Sequence, residues 1–192
     1  MADTLFTVIN TFTLKDPAKA GEFEERFLSH VEWMRAQEGF RSHQAVRLTE
    51  RPGVYVNLGR WRSPQDFQKV LGSEVFQAHA AEFHELVEVS AAPSFNVVRA
   101  GDVAAVTPVV VVETFESTDD PETVAKAWSS YAEELAARDG FRHAELDAAI
   151  LTQGSYTFAT WWTSADAARA ARAEVPAPAD TDADEATHVT AA

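Results

Sequence analysis

Three residues have side chains that can hold the oxygen atoms of a ligand: Asn10, Asn57 and Trp61. Asn10 interrupts an apolar row, because alternate residues from Phe6 to Phe12 share one face of a predicted strand. Asn57 and Trp61 share a face of another predicted strand, and Gly59 between them leaves room above the sheet. A carboxamide among apolar side chains needs a hydrogen-bond partner, since an unpaired one costs about 1–3 kcal/mol. Two carboxamides and an indole N–H can hold phenol and carbonyl oxygens of a flat aromatic molecule.

Four more residues are expected to contact such a molecule: Tyr55, Phe27, His30 and His79. Tyr55 lies on the strand face that carries Asn57. Phe27 and His30 belong to the apolar stripe of a predicted helix, whose residues step by 4, 3 and 4. Because this stripe faces the core, His30 is either a histidine packed among apolar side chains or a general base beside the substrate.

The spacing of the histidines predicts neither a metal site nor a catalytic triad. His79 and His84 are five residues apart, which is not the spacing of two metal ligands on one helical face. His43 and His143 lie at predicted strand edges without an obvious partner. We expect no metal site and no Ser-His-Asp arrangement.

An internal repeat with a constant offset of 101 residues organises the chain. Gly39-Phe40-Arg41 recurs as Gly140-Phe141-Arg142, and Trp61 recurs as Trp162. The polar residues are not repeated, since Asn57 corresponds to Phe158 and Asn10 corresponds to Glu113 at a local offset of 103. We therefore expect one working site in each chain, in the first repeat.

Each repeat has the pattern strand, helix, strand, strand, helix, strand, which is the ferredoxin-like unit. Asp-Pro pairs at Asp16 and Asp120 predict the start of the first helix, and Gly39 and Gly140 predict its end. A ferredoxin-like sheet has helices on one face only, so the other face must be covered. The sequence predicts an α+β fold in which two tandem repeats cover each other as an intrachain dimeric α+β barrel.

The domain boundaries follow from the repeat and from composition. We expect the first repeat over residues 1–99, a linker over 100–106 and a degenerate second repeat over 107–173. Residues 174–192 are rich in Ala, Asp, Glu and Pro without any aromatic residue, which predicts a disordered acidic tail.

Composition narrows the classes of partner. The 192 residues include 16 Lys and Arg against 30 Asp and Glu, a formal net charge of −14. Such a charge repels phosphate backbones and anionic membranes, so neither nucleic acid nor membrane is expected as a partner. The chain has no cysteine, no signal-like N-terminus and no apolar stretch of spanning length, so a cytoplasmic location is expected.

The first repeat resembles a known family in its first strand, in the helix ending at Gly39-Phe40, and in the segment Asn57-Leu58-Gly59-Arg60-Trp61-Arg62-Ser63. That family is the antibiotic biosynthesis monooxygenases, members of the dimeric α+β barrel superfamily. The resemblance covers residues 4–99 well and 107–173 weakly, and is strongest to the cofactor-independent anthrone and naphthacenone oxygenases. In those enzymes a first-strand asparagine and an Asn-x-x-x-Trp form the site, which implies catalytic roles for Asn10, Asn57 and Trp61.

The resemblance implies oxidation of an aromatic polyketide anthrone or hydroquinone to a quinone by dioxygen, without a cofactor. A deprotonated electron-rich substrate can itself pass an electron to dioxygen, so the protein need only bind, desolvate and stabilise charge. The chain would be a monomeric pseudo-dimer or a homodimer.

Several alternatives stay open. One is a polyketide cyclase or isomerase with His30 as its acid or base. Another is a heme-binding or heme-degrading relative using Asn10 and His79, although Val70 stands where those proteins have Trp. Reduced flavin is a third, although no flavin fingerprint is present, and a pure binding or structural protein is a fourth.

Overall fold

The structure is a computed structural model that describes residues 5–102 and 106–189. It divides the chain into two compact units. The described residues up to Pro93, with Val189, form the first unit, and Ser94–His188 form the second.

The first unit is a sheet with helices on one face. Its strands run antiparallel in the order β1-β3-β2, with Asn10 directly opposite Asn57 in the register. The elements are β1 Phe6–Leu14, a 3₁₀ turn Pro17–Lys19, α1 Ala20–Arg35, β2 Phe40–Leu48, β3 Val54–Trp61, α2 Pro64–Leu71, α3 Glu74–Leu86 and the first part of β4 Val87–Gly101.

The second unit repeats this element order but has one helix fewer. Its strands are arranged in the order β8-β5-β7-β6-β4, again antiparallel. The elements after β4 are β5 Val109–Glu116, α4 Pro121–Ala136, β6 Phe141–Ala149, β7 Ser155–Trp162, α5 Ala165–Glu174 and β8 Asp182–His188. The predicted α+β class with two tandem ferredoxin-like repeats is confirmed. That the two sheets cover each other stays a prediction.

Local signals in the sequence explain where most helices begin. Asp16 accepts a hydrogen bond from the Ala18 backbone N–H and Asp120 accepts one from Thr123, as helix-capping residues do. The predicted helix end at Gly39 is wrong by one turn, since α1 ends at Arg35. Gly39 has φ 85° and instead closes the turn into β2, a backbone conformation that glycine adopts without strain.

The boundary between the units differs from the expected one. The prediction placed residues 1–99 in the first repeat, but Ser94–Gly101 pairs with β6 and belongs to the second unit. The predicted linker over 100–106 is partly strand, because β4 continues to Gly101, and residues 103–105 lie outside the described part.

The prediction of a disordered acidic tail over 174–192 is wrong for its central part. Residues 182–188 form β8, which pairs with β5 from Val109 opposite Thr187 to Thr114 opposite Asp182. Composition misleads here because backbone hydrogen bonds to β5 and one fully buried small side chain, Ala186, hold the strand in place. Its acidic side chains remain mostly at exposed or half-buried positions. Residues 190–192 of the predicted tail lie outside the described part.

The apolar cores of the two units differ in continuity. In the second unit one cluster runs without a break from Phe115 through Trp128 and Phe158 to Trp162. On the helix-covered face of the first unit the described residues include two separate clusters, one around Phe12 and one around Trp61. The gap between these two clusters is where polar residues enter the first unit.

No helix in the described ranges is both long enough and apolar enough to cross a membrane.

Candidate functional site

A polar layer lies on the helix-covered face of the first sheet, between the two apolar clusters. Asn10 follows Val8 of the Trp61 cluster and precedes Phe12 of the other cluster on the same face of β1. Asn57 is the cross-strand neighbour of Asn10, so the two carboxamides share this face, as the alternation of side chains predicts.

The carboxamide of Asn57 contacts His43 through its oxygen and faces Gly59 with its nitrogen. Its Oδ1 lies 3.2 Å from Nδ1 of His43. Its Nδ2 faces Gly59, since a Cβ placed on Gly59 would lie 3.5 Å from that nitrogen and 3.9 Å from Nε1 of Trp61. Two N–H donors therefore border the space above Gly59, on an otherwise apolar strand face.

Trp61 is almost fully buried, but its N–H has no partner in the described part of the chain. Its ring packs against Phe40 and Phe67, each with centroids 5.3 Å away. Buried indole N–H groups usually find an acceptor. The equivalent Trp162 does so, donating to the Thr160 hydroxyl at 2.8 Å. Thr160 stands where the first repeat has Gly59, so the difference between the two tryptophans follows from that one position.

Asn10 provides a third polar group in the layer. It is half-buried, and within residues 5–102 and 106–189 its carboxamide makes no hydrogen bond. A carboxamide that lies between Val8 and Phe12 without a protein partner is available to a bound molecule.

Tyr55 and Phe27 border a narrow gap that reaches Asn57. The gap is too narrow to hold a water molecule. The Tyr55 hydroxyl donates to Glu24 at 2.7 Å, and burial, reinforced by Glu24, raises the pKa of this phenol. Tyr55 is thus a protonated wall of the gap with its hydroxyl already engaged, and Phe27 contributes only its ring.

His30 and His79 lie elsewhere, in an open groove between α1 and α3. Their Nδ1 atoms are 2.8 Å apart, so at least one of the two rings is neutral. Burial, with a smaller contribution from His79, lowers the pKa of His30 to about 4. The ring of Phe83 lies 5.2 Å from His30 and 6.2 Å from Phe12, and so separates this pair from the polar layer. The structure does not bring His30 and His79 together with Asn57.

The groove itself is charged. It has a volume of about 430 Å³ and is lined by the carboxylates of Glu22, Glu25 and Glu82 in addition to the two histidines. Heme needs an apolar slot for its ring, so this surface does not fit the heme-binding alternative. No group of three or more potential ligands is arranged for a metal ion in the described residues.

The second unit replaces the polar layer by packing and by a buried ion pair. Phe158 has its ring 4.8 Å from Trp128 and carries no donor. Glu113 is fully buried, with Oε1 3.3 Å from Nη2 of Arg172 and accepting from Thr181 at 3.1 Å. Burial raises the pKa of Glu113, although Arg172 and Thr181 oppose the shift.

Two histidines expected to be without partners have them. His43 bonds Asn57, as described, and the fully buried His143 has its Nε2 2.9 Å from Oε1 of Glu145. Sequence reasoning missed His43 because the register of β2 against β3 decides which residue reaches Asn57. The only available signal was the strand alternation that places His43 opposite Gly59.

Comparisons with known proteins agree with this fold. Residues 5–82 match the family described as antibiotic biosynthesis monooxygenase. A protein of Fusobacterium nucleatum with a provisional monooxygenase name aligns at 11% identity and a TM-score of 0.79, covering 99% of this chain and 94% of its own. An anthrone oxidase-like protein aligns at 18% identity and a TM-score of 0.71, covering 98% of this chain and 93% of its own.

A shorter match extends over one repeat only. SnoaB, a cofactor-independent oxygenase from Streptomyces nogalater, aligns at 28% identity and a TM-score of 0.42, over 46% of this chain and 88% of its own. A comparison with curated proteins finds no match.

Proposed function

We propose that this chain, whose residues 5–82 match the antibiotic biosynthesis monooxygenase family, oxidises an aromatic polyketide anthrone or hydroquinone to a quinone with dioxygen and without a cofactor. The family match supports an oxidoreductase of the monooxygenase type. For an anthrone, the ring CH₂ loses two hydrogens and gains one oxygen atom, while the second oxygen atom of O₂ leaves as water. No external reductant is needed, because the substrate supplies all the electrons.

The protein's task in this reaction is to stabilise negative charge on a substrate oxygen. An anthrone that has lost a CH₂ proton to solvent before binding carries that charge on the carbonyl oxygen opposite, which is then an aryloxide. The Asn57 Nδ2–H and Trp61 Nε1–H can donate to that oxygen above Gly59, where apolar surroundings strengthen the interaction. Asn10 is placed to hold a second substrate oxygen.

One observation carries this proposal: two N–H donors, Asn57 Nδ2 and Trp61 Nε1, lie beside Gly59 in the first repeat, where the second repeat has the side chain of Thr160. Thr160 and Phe158 occupy the positions of Gly59 and Asn57, and the Trp162 N–H is already bonded. The Trp61 N–H has no acceptor among the described residues, whereas the equivalent Trp162 N–H donates to Thr160, and this difference favours a functional role for the first of the two tryptophans.

Substrate binding needs movement of aromatic side chains. The gap beside Asn57 is too narrow for water and hence for a three-ring molecule. Phe27 and Tyr55 form its wall, so we expect α1 with Phe27 to move outward when a substrate enters.

The cyclase alternative has weaker support. It requires His30 beside the substrate, whereas Phe83 separates His30 from the polar layer. No contact of the described residues favours it over the oxygenase.

The test compares the same substitution in the two repeats. Trp61→Phe removes one donor and should lower kcat/KM for oxygen uptake with a hydroxyanthrone by about 10²-fold or more. Trp162→Phe is the matched control and should leave kcat/KM unchanged while lowering stability, because it breaks the bond to Thr160. Titration with a hydroxyanthraquinone should give one site per chain.

Three results would contradict the proposal. They are equal loss of activity in both variants, two equivalent sites per chain, or no oxygen uptake with any anthrone. An absorbance spectrum of the purified protein tests the cofactor-free reaction separately, since a Soret band or a flavin spectrum would overturn it.

A further inference from the structure

We propose that His43 is a positioning residue that fixes the side-chain amide of Asn57 so that the site presents an N–H rather than a C=O above Gly59. The effect of His43 on catalysis rests on the proposed function, whereas its effect on the orientation of the Asn57 amide does not. It starts from the contact of 3.2 Å between His43 Nδ1 and Asn57 Oδ1.

The Asn57 amide has two possible orientations beside His43. With a proton on Nδ1, the imidazole donates to Oδ1, and Nδ2 then faces Gly59 and the Trp61 N–H. Without that proton, the amide would turn over and donate to Nδ1. Its C=O would then face Gly59, where it could accept from Trp61 and leave no donor for a ligand.

The tautomer of His43 therefore decides which ligand atom the space above Gly59 accepts. The donating tautomer selects an acceptor oxygen, such as an aryloxide, and disfavours a neutral hydroxyl that must donate. The imidazolium form also carries a proton on Nδ1, so protonation of the ring keeps the same orientation.

His43 is itself held in place by aromatic neighbours. Its ring centroid lies 6.2 Å from that of Phe27 and 6.3 Å from that of Phe40, and Phe40 in turn packs edge-on against Trp61. His43 thus lies between Phe27, which borders the gap, and Phe40, which packs on Trp61.

The second repeat lacks this arrangement as a whole. His43 lies opposite Gly59, and the residue opposite Thr160 is the fully buried Ala144. The repeat that has no amide to orient also has no imidazole at this register position, which is expected if His43 serves Asn57 and not the packing of the strand.

The orientation of Asn57 can be tested without any substrate. In ¹H–¹⁵N spectra of the free protein, the Asn57 NH₂ pair (identified by its loss in Asn57→Asp) should be ordered in the wild type. In His43→Phe its order parameter should fall from about 0.85 to below about 0.6. His43→Asn, which keeps an N–H near the position of Nδ1, should restore the order.

A second amide in the same chain serves as an internal control. Asn96 donates through Nδ2 to the carbonyls of Val98 and Leu146 at 3.1 and 3.2 Å, and its NH₂ pair should not change in any His43 variant. An Asn57 pair that keeps its order in His43→Phe, while Asn96 also stays ordered, would overturn the proposal. Loss of order at both would show that the variant is misfolded, and His43→Leu, which has no hydrogen-bonding group, then replaces it, again with loss of order expected at Asn57 alone.

Oxygen uptake tests the catalytic consequence. His43→Phe should lower kcat/KM by up to about 10²-fold in the wild-type background, since it misplaces a donor. In the Asn57→Leu background the same change should have no further effect, because the amide it positions is gone. Additive losses would show that His43 acts independently of Asn57. If the wild type consumes no oxygen, the proposed function fails while the spectra still decide the role of His43.

Discussion

Replacing Gly59 by threonine transfers the arrangement of the second repeat into the first. The new Cβ would lie 3.5 Å from Asn57 Nδ2, 3.6 Å from the Val8 carbonyl oxygen and 3.9 Å from Trp61 Nε1, which are ordinary contact distances. The φ angle of Gly59 is not in the left-handed region, so a branched side chain causes no backbone strain. We expect the hydroxyl to accept from the Trp61 N–H, as Thr160 accepts from Trp162 at 2.8 Å.

Stability and activity should change in opposite directions. Removing a glycine from a strand interior contributes about 0.5–1 kcal/mol, and the new hydrogen bond to a buried donor contributes about 1 kcal/mol. A gain of about 1–2 kcal/mol corresponds to a rise in Tm of about 2–8 °C for a chain of this size. At the same time the Trp61 donor is no longer available to a substrate oxygen, which should lower kcat by about 10²- to 10³-fold.

The assay combines thermal unfolding with oxygen uptake on a hydroxyanthrone. Gly59→Ala is the control for stability, because it adds the same Cβ without an acceptor and should gain only the part of the stabilisation that comes from removing the glycine. A threonine variant with near-wild-type turnover would refute the role of the Trp61 N–H. A threonine variant less stable than the wild type would contradict the expectation that a side chain at position 59 fits without strain.

Two predictions concern pH. Burial lowers the pKa of His30 to about 4 in the folded state, while the unfolded chain binds the proton near 6.5. The free energy of unfolding should therefore fall by on the order of 3 kcal/mol as the pH drops from 6.5 to 4. In urea titrations His30→Phe should lack this fall, and an unchanged pH dependence would contradict the assignment. Burial raises the pKa of Glu113, so the folded state prefers the protonated acid and wild-type stability should decrease as pH rises above 4.5. Glu113→Gln should gain stability relative to wild type between pH 4.5 and 7.5, whereas a relative loss would show that the ion pair with Arg172 outweighs burial.

Strand periodicity accounts for much of what the sequence could predict about the site. Side chains alternate strictly along a strand, so Asn57 and Trp61 had to share a face once β3 was recognised. The offset of 101 residues then related Trp61 to Trp162 and predicted the difference between the repeats. Both inferences use only the spacing of residues along the chain, and within one strand that spacing decides which side chains share a face.

Features that depend on how separate elements meet could not be read in this way. His43 reaches Asn57 because a register irregularity between Phe40 and Ser42 sets its position opposite Gly59. His30 meets His79 because α3 packs on α1, and the pair lies in a groove outside the polar layer, although the helical stripe had predicted a position near the substrate for His30. The strand β8 depends on backbone pairing with β5, which composition does not report.

The presence of both repeats in one chain has a consequence for how the protein can evolve. In a symmetric dimer of identical subunits every substitution is made twice, once in each copy, so a change that suits the pocket must also be tolerated at its symmetry mate. Here a mutation in the first repeat leaves its counterpart untouched, as the pairs Gly59 and Thr160 or Asn57 and Phe158 already show. Substitutions in the first repeat can therefore change the site for a ligand, while the second repeat keeps the side chains that stabilise its apolar core.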